Sequence, residues 1–304
     1  MAPTSTTVDT QKRVAAHLVG RERELELTLA AVAASRDILL EGPPGTSKTT
    51  ILKAITEEWG IPLLFVEGNA DLTPAKLVGH HNPARVLRED YSADNFVAGP
   101  LIEAMQRGGF LYIEEFNRAP EDTLNTLLTA MADRAIAVPR VGTIVAAPTF
   151  RVVASMNPYD NVGTTRLSTS VHDRLNRLVI GYQDEPAERG IVTLRTQATG
   201  DLADRLVADA VYVTRATRRH PDVRQGSSVR GAIDCVLVAL QLSLLRDLRS
   251  PHDDGYKELV YDAMTVSLSG RIHLDEAAES SPERVLREIW EDRFVLEPAI
   301  AKPG

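Results

Sequence analysis

Short apolar runs alternate with segments of helical periodicity along the first 182 residues of the chain. The predicted strands are residues 38–41, 63–67, 110–114, 150–155 and 178–182, and the predicted helices include residues 48–59, 100–107 and 120–133. Strands that alternate with helices favour a parallel α/β sheet covered by helices on both faces. Ligands of such sheets bind beyond the carboxyl ends of the strands, so the residues that follow each strand are candidates for a functional site.

The pattern changes after residue 185, where the strand signal disappears. Helical periodicity covers residues 186–199, 202–217, 229–248, 256–269 and 281–290. Because Pro186 disfavours helix at the residue before it, a hinge is expected at residues 184–186. The sequence therefore predicts an α/β core at residues 13–185, a small all-helical domain at 186–292, and flexible termini at 1–12 and 293–304.

Two long polar stretches, residues 69–99 and 135–149, interrupt the α/β core. The second alternates apolar and polar residues around Val141 and Gly142, which predicts a β-hairpin. Long loops inside a compact domain are usually functional. A functional role and a decorative surface insertion are both compatible with the pattern of these two stretches.

Composition and charge exclude several classes of protein and leave a soluble globular one. The chain has 304 residues, of which 43% are hydrophobic and 25% charged, and this is ordinary for about two soluble globular domains. The net charge of −8 argues against a general nucleic-acid binder. The one cysteine, Cys235, lies in an apolar run, so neither a disulfide framework nor a cysteine metal site is available. No run approaches the roughly 18 apolar residues of a membrane span, and the first residues lack an apolar signal core, so a cytoplasmic location is expected.

The segment that follows the first predicted strand has the pattern of a phosphate-binding loop. Gly42 and Gly45 let the backbone curl so that successive N–H groups point inward, Lys48 reaches the β- and γ-phosphates, and the Thr49 hydroxyl can ligate Mg²⁺. Ser47 stands where the pattern G-x-x-x-x-G-K-[ST] has its second glycine, but serine is small and the loop is expected to be intact. The predicted ATP-binding residues of this segment are Gly42, Pro43, Pro44, Gly45, Thr46, Ser47, Lys48, Thr49 and Thr50.

A pair of carboxylates at the end of the predicted strand 110–114 supplies the second half of a nucleotide site. Phosphate hydrolysis needs one acid to hold the water shell of Mg²⁺ and another to polarise the attacking water. By position, Glu114 is the acid on the metal side and Glu115 is the catalytic base. Adjacent residues at a strand end point to opposite sides, so the two carboxylates can divide these roles.

Three further polar residues are candidates whose roles spacing alone leaves open. Asn157 follows the predicted strand 150–155 and either orients the attacking water or simply begins a turn with Pro158. Arg174 precedes the last predicted strand, and Arg230 begins a predicted helix of the all-helical part. Each arginine is either a functional cation or an ordinary surface residue.

Taken together, these segments resemble the AAA+ ATPases and, among them, the MoxR branch, which is close to the magnesium-chelatase ATPase subunits. The resemblance covers about residues 19–273, and the sequence Glu-Glu-Phe-Asn-Arg-Ala-Pro at 114–120 resembles the MoxR signature. The matching segments, in family order, are residues 18–21, 42–49, 95–101, 114–120, 157–158, 173–174, 226–230 and 270–273. The resemblance implies that Val19 and Gly20 line the adenine pocket, that Asn157 is sensor 1, that Arg174 is the arginine finger and that Arg230 is sensor 2.

The resemblance also implies a mode of action. Such proteins bind ATP and Mg²⁺ and form rings, usually hexamers, in which Arg174 completes the site of a neighbouring subunit. The expected function is an ATP-hydrolysing motor that remodels or matures a client such as a metalloenzyme, together with a von Willebrand factor A domain partner. The alternatives are a chelatase-, gas-vesicle- or rubisco-activase-type protein, and a slowly hydrolysing nucleotide-gated scaffold. Glu114 replaces the usual aspartate and, together with Ser47, leaves slow hydrolysis open. Whether Arg174 or Arg177 is the finger is also open.

Overall fold

The apolar runs of the amino-terminal part form a five-stranded parallel sheet, as predicted. From one edge to the other, its strands are those of residues 63–67, 110–114, 151–156, 38–41 and 176–179. This computed structural model describes residues 8–89, 93–158 and 167–296. Its strands are β1 Ile38–Glu41, β2 Leu63–Glu67, β3 Gly79–His81, β4 Phe96–Ala98, β5 Phe110–Glu114, β6 Ala135–Val138, β7 Gly142–Val145, β8 Arg151–Met156, β9 Asn176–Val179, β10 Val223–Gln225 and β11 His273–Leu274. Its helices are α1 Val8–Ala15, α2 Glu22–Ala33, α3 Lys48–Trp59, α4 Pro74–Val78, α5 Pro83–Glu89, α6 Pro100–Arg107, α7 Glu121–Asp133, α8 Thr169–Arg174, α9 Glu185–Thr196, α10 Asp201–Thr217, α11 Val229–Leu245, α12 Tyr256–Leu268 and α13 Pro282–Glu291.

Both faces of the sheet are buried, which explains why its central strands read as continuous apolar runs. On one face Ile38 and Leu40 pack in a cluster that includes Ile51 of α3. On the other face Leu39 packs in a cluster that includes Leu101 of α6. Successive residues of β1 therefore point to opposite helical layers, as the period of a strand requires.

The last strand of the sheet differs from its predicted bounds. It was expected at residues 178–182, but β9 begins at Asn176, which lies opposite Ile38 of β1 and donates its backbone N–H to the Asp37 carbonyl at 2.9 Å. Because β9 lies at the edge of the sheet, the exposed polar residues Asn176 and Arg177 are tolerated there and give no apolar signal. The bounds predicted for β1, β2 and β5 are confirmed.

The two polar stretches of the core each contain a two-stranded antiparallel ribbon. The hairpin predicted within residues 135–149 is confirmed as β6 and β7, which pair from Ala135 opposite Val145 to Val138 opposite Gly142. The ribbon of β3 and β4 within residues 69–99 was not predicted, because strands of three residues are too short to show a period.

From Tyr182 onward the chain forms a second compact unit. Helices α9 to α13 pack around a buried apolar cluster that contains Leu206, Val236, Leu259 and Leu286. Asp184, in the predicted hinge, caps α9 because its side chain accepts the backbone N–H of Ala187 at 2.9 Å. The prediction that no strand follows residue 185 is wrong. β10, of three residues, and β11, of two, form a short antiparallel ribbon.

Both predicted flexible termini are corrected at their inner ends. Residues 8–12 belong to α1, which Val14 anchors with a fully buried side chain. Residues 293–296 continue a helical turn in which Phe294 is buried and Arg293 donates to the buried carboxylate of Asp209 at 3.0 Å. Residues 1–7 and 297–304 lie outside the described residues. Within the described chain, the helices are all too short or too polar to cross a lipid bilayer.

Candidate active site

The loop between β1 and α3 is shaped by two left-handed residues. Gly45 has a φ of 73° and Ser47 a φ of 68°. Glycine adopts this conformation at no steric cost, whereas serine at position 47 costs about 1 kcal/mol, which explains why the usual pattern has glycine there. The loop nevertheless keeps its curled backbone, and α3 begins directly after it at Lys48. A helix amino terminus carries a partial positive charge and favours an anion at this point.

Lys48 lies across the loop that precedes it. Its Nζ donates to the carbonyls of Gly42 at 2.8 Å and Pro43 at 2.9 Å, and only 9% of the residue is exposed. The backbone N–H of Gly42 donates to the carbonyl of Met156 at 3.1 Å and so ties the loop to β8. An ammonium held by two neutral carbonyls can exchange them for phosphate oxygens, which form stronger, charge-assisted bonds.

The carboxylate pair lies where β5 ends in a sharp turn. Glu114 is the last residue of β5, and Glu115 has a left-handed backbone with a φ of 53°. Gly68 allows this turn: its N–H donates to the Glu114 carbonyl at 2.7 Å, and a Cβ there would lie 2.3 Å from the Glu115 carbonyl oxygen. The Glu115 carboxylate is 3.3 Å from Arg118, and its side chain is 32% exposed. Sequence reasoning missed both Gly68 and Arg118, although the glycine directly after β2 was a signal for a close backbone approach.

Strand order brings the phosphate loop, Asn157 and the two glutamates together at the carboxyl end of the sheet. β8 lies between β1 and β5, so Asn157, which follows β8, lies between the phosphate loop and the carboxylate pair. Asn157 is 9% exposed. The loop, Asn157 and the two glutamates thus converge at the carboxyl ends of three neighbouring strands, where ligands of parallel sheets bind.

Three hydroxyl groups lie in a row beneath the carboxyl end of the sheet, and sequence reasoning did not identify this row. The Tyr112 hydroxyl is 3.2 Å from the Thr49 hydroxyl and 3.0 Å from the Ser155 hydroxyl. Burial raises the pKa of Tyr112, and the nearby charges of Glu114 and Glu115 act in the same direction. Tyr112 and Glu114 are two residues apart on β5 and share a face, which supports Glu114 rather than Glu115 as the acid on the Thr49 side.

The two arginines that compete for the finger role have different surroundings. Arg177, in β9, donates to the buried carboxylate of Glu41 at 2.5 Å, and this bond raises the pKa of Arg177. Arg174 ends α8 with an exposed side chain that donates to the Ser170 carbonyl at 3.3 Å, within its own helix. The ion pair holds Arg177 within its own chain and supports the assignment of Arg174.

The roles of Val19, Gly20 and Arg230 stay predictions, and the structure gives only their surroundings. Val19 is half-buried and precedes two left-handed residues, Gly20 and Arg21. The Arg21 guanidinium, missed by sequence reasoning, fixes this segment through the Gly181 carbonyl at 2.7 Å and the Glu24 carboxylate at 2.8 Å. In the second unit, Arg230 lies in the first turn of α11 with an exposed side chain.

The residues present fit a hard divalent cation. Thr49 offers a hydroxyl and Glu114 a carboxylate, and oxygen ligands of this kind are those that Mg²⁺ prefers, with phosphate and water completing its shell. In residues 8–89, 93–158 and 167–296, no three His, Cys, Asp or Glu side chains gather into a separate metal cluster. A cation at this site would be held by Thr49, Glu114 and the phosphates together.

Comparison with known proteins gives relatives and a fold. The family described as AAA domain (dynein-related subfamily) matches residues 37–175. The chain is 25% identical to the gas vesicle ATPase GvpN of Ancylobacter aquaticus, over 86% of this chain and 75% of the relative. It is 26% identical to the chaperone MoxR1 of Mycobacterium tuberculosis, over 86% of this chain and 78% of the relative. The crystal structure of NtrX from Brucella abortus in complex with ADP has the same fold, with a TM-score of 0.55 and 20% identity over 90% of this chain and 61% of that chain.

Proposed function

We propose that this chain is a MoxR-type AAA+ ATPase, as its sequence predicts, and that it acts as a ring-forming motor whose ATP hydrolysis remodels or matures a client protein complex. One observation carries this proposal. The phosphate loop, the pair Glu114 and Glu115, and Asn157 end three neighbouring strands and so face one ligand. This set contains a cation for phosphate, ligands for a metal and a base for water.

Each residue of the set has a separate role in the proposed reaction. The loop N–H groups and Lys48 bind the phosphates, and Lys48 exchanges two loop carbonyls for phosphate oxygens. Thr49 and Glu114 would hold Mg²⁺, which would supply positive charge to neutralise the phosphates. Glu115 accepts the proton of the attacking water, and Asn157 orients that water toward the γ-phosphate.

The position of Arg174 supports the proposed assembly into a ring. This residue precedes β9 at the amino end of the sheet, whereas the phosphate loop follows β1 at the carboxyl end. A strand of four residues spans roughly 13 Å, so the Arg174 of one subunit is better placed to act on the nucleotide of another. We expect a hexamer in the cytoplasm, with Arg230 sensing the γ-phosphate, a von Willebrand factor A domain protein as partner, and a metalloenzyme complex among the clients.

A second candidate function is supported by one relative. The gas vesicle ATPase GvpN matches over 86% of this chain, an extent equal to that of the chaperone MoxR1. A role in gas-vesicle formation would use the same ATPase site on a different client. Genes for gas-vesicle proteins beside the gene of this chain would favour this alternative, and a neighbouring gene for a von Willebrand factor A domain protein would favour the first.

Calorimetric titration with ATP tests the nucleotide site. Lys48→Ala removes the cation of the loop while its backbone N–H groups remain, so tight ATP binding should be lost. Lys53→Ala is the matched control, because Lys53 lies on the same helix with an exposed side chain. An ATP affinity that Lys48→Ala leaves unchanged contradicts the assignment of the loop. Steady-state phosphate release by the wild-type protein then separates a motor from a scaffold that barely turns over.

A further inference from the structure

Three buried hydroxyl groups form a line from the metal-binding side of the loop into the sheet. Thr49 of α3, Tyr112 of β5 and Ser155 of β8 contribute one hydroxyl each, at oxygen separations of 3.2 and 3.0 Å. Tyr112 is fully buried and Ser155 is 1% exposed, whereas Thr49 is half-buried. The outer end of the line therefore faces the ligand, and the inner end lies in the core.

Packing alone does not account for the hydroxyl of Tyr112. Phenylalanine would fill the same space and keep the edge contact with Phe65, whose ring centre is 5.7 Å away. Burying a hydroxyl costs about 1–3 kcal/mol unless hydrogen bonds compensate for it. The other residues of the strand up to Ile113 are apolar, so Tyr112 is the one polar side chain among them. Its hydroxyl forms two hydrogen bonds, and these point to a role beyond packing.

The geometry of a hydroxyl gives that role. A threonine hydroxyl has one proton and two lone pairs, and it can ligate a cation only through a lone pair. The Thr49 proton must then be donated to another acceptor, and Tyr112 Oη lies within reach of it. With a cation on Thr49, the Tyr112 hydroxyl would accept a hydrogen bond from Thr49 and donate one to Ser155, so the line would take a single direction that leaves the outer lone pairs of Thr49 available.

We propose that Tyr112, supported by Ser155, is a positioning residue that orients the Thr49 hydroxyl toward the divalent cation of the bound nucleotide. The inference rests on the proposed nucleotide site and deepens it. It assigns to two core residues, which do not touch the nucleotide, control over how much Mg²⁺ strengthens nucleotide binding.

The test uses the full-length protein and a fluorescent ADP analogue, with the dissociation constant measured in EDTA and in Mg²⁺. The ratio of the two constants gives the Mg²⁺ enhancement of each variant. Tyr112→Phe should reduce this enhancement about fivefold, the value of one hydrogen bond, and should leave the affinity in EDTA unchanged within about twofold. Ser155→Ala removes the second link and should reduce the enhancement about twofold in the same direction.

A double-mutant cycle separates positioning from a general structural effect. If Tyr112 acts through Thr49, then Tyr112→Phe has no additional effect on the enhancement in a Thr49→Val background. A purely structural role would instead lower the affinity in EDTA as well and would add to the effect of Thr49→Val. Tyr256→Phe is the matched control, because it removes another buried hydroxyl, one bonded to Asp209 in the second unit, and should leave the enhancement unchanged.

The outcomes distinguish this inference from the proposed function. Wild-type binding that depends on Mg²⁺, with the same enhancement in Tyr112→Phe and Ser155→Ala, overturns the inference and leaves the nucleotide site intact. A wild-type protein that binds no nucleotide overturns both. If Tyr112→Phe does not fold, Ser155→Ala and its cycle with Thr49→Val decide the question alone.

Discussion

The carboxylate of Asp37, at the amino end of the central sheet, and that of Glu115, at its carboxyl end, differ in burial and in their partners. At the amino end, the Asp37 carboxylate, 5% exposed, pairs with Arg134 at 2.8 Å and accepts the Val152 N–H at 2.7 Å. Arg151, also buried, donates to the carbonyls of Val32 and Pro148. At the carboxyl end, the Glu115 side chain is 32% exposed and lies beside an arginine that is itself 41% exposed.

The difference distinguishes charged groups that stabilise the fold from charged groups that take part in the proposed reaction. A buried charge is tolerated when the chain itself supplies its partners, and removing one partner of such a pair is strongly destabilising. A half-exposed carboxylate is stabilised less by its ion pair and remains accessible to water and ligand. Substitutions of Asp37 and Arg151 should therefore change stability, and substitutions of Glu115 should change turnover.

Arg174 is the exception at the amino end, and it gives the largest expected effect. Its side chain is exposed, unlike those of Asp37 and Arg151, as expected of a residue that serves a neighbouring subunit in the proposed ring. Arg174→Ala should bind ATP and assemble normally but lose hydrolysis by roughly 10³–10⁵, the contribution of a finger supplied in trans. Phosphate release and ATP titration on the same preparation measure the two properties.

Mixing two inactive variants tests whether Arg174 acts between subunits. Glu115→Gln subunits still present Arg174, and Arg174→Ala subunits still carry Glu115, so co-assembled rings contain some complete sites and should regain ATPase activity. Differently tagged proteins should be co-expressed, so that mixed rings can be verified. If verified mixed rings stay inactive while Arg177→Ala shows the behaviour expected of Arg174→Ala, the finger is Arg177.

Glu115→Gln is expected to have the next largest effect. It removes the base but keeps the size of the side chain, so hydrolysis should fall roughly a hundredfold or more while ATP binding persists. The unfolding free energy should stay within about 0.5 kcal/mol of wild type, because the ion pair with Arg118 is half-exposed. Wild-type turnover by this variant, together with loss of turnover in Glu114→Gln, would show that the two glutamates have exchanged roles.

Asp37→Ala is the counterpart at the amino end. It leaves Arg134 and the Val152 N–H without their buried acceptor and should lower the free energy of unfolding by about 3 kcal/mol. ATP turnover per folded molecule should be unchanged. Chemical unfolding followed by circular dichroism measures the loss, and equal stabilities of Asp37→Ala and Glu115→Gln would contradict the comparison.

Asp37→Asn is the graded control for this loss. Burial raises the pKa of Asp37 despite the opposing effects of the Val152 N–H and of Arg134, so the charged form is more costly at this position than it is in water. Asparagine keeps the oxygen acceptor and should lower the free energy of unfolding by less than alanine does.

The sequence predicts this sheet well where both faces of a strand are buried. Residues 110–113 of β5 are all buried, and their continuous apolar run gives the strand its predicted bounds. At the edge, Asn176 and Arg177 begin β9 through pairing with β1, which no local pattern reveals. The ribbons β3–β4 and β10–β11 are too short to show periodicity.

The site was predictable where one segment carries the chemistry and unpredictable where distant segments meet. The loop from Gly42 to Thr49 contains its phosphate-binding groups and its predicted metal ligand within eight consecutive residues. The contact of Thr49 with Tyr112 joins residues 63 positions apart, and that of Tyr112 with Ser155 spans 43. A tyrosine two residues before Glu114 was visible in the sequence, but its hydrogen bonds depend on the strand order β5-β8-β1.

Glu114→Asp is expected to have the smallest effect of these substitutions and sharpens the comparison within the carboxyl end itself. Aspartate is the usual residue on the metal side of such sites, and it shortens the side chain by one methylene while keeping the carboxylate on the face of β5 that Tyr112 shares. A carboxylate that holds a cation through its water shell tolerates a small displacement, since water occupies the space between them. Turnover at saturating Mg²⁺ should therefore hold or rise, and only the Mg²⁺ concentration for half-maximal activity should shift, by about threefold or less.

Glu115→Asp is the matched control: the same shortening withdraws a base that must lie within hydrogen-bonding reach of the attacking water, so turnover should fall sharply. A collapse of activity in Glu114→Asp, as deep as that in Glu115→Asp, would mean that the longer acid is fitted to this site and that Glu114 contacts the reacting groups directly.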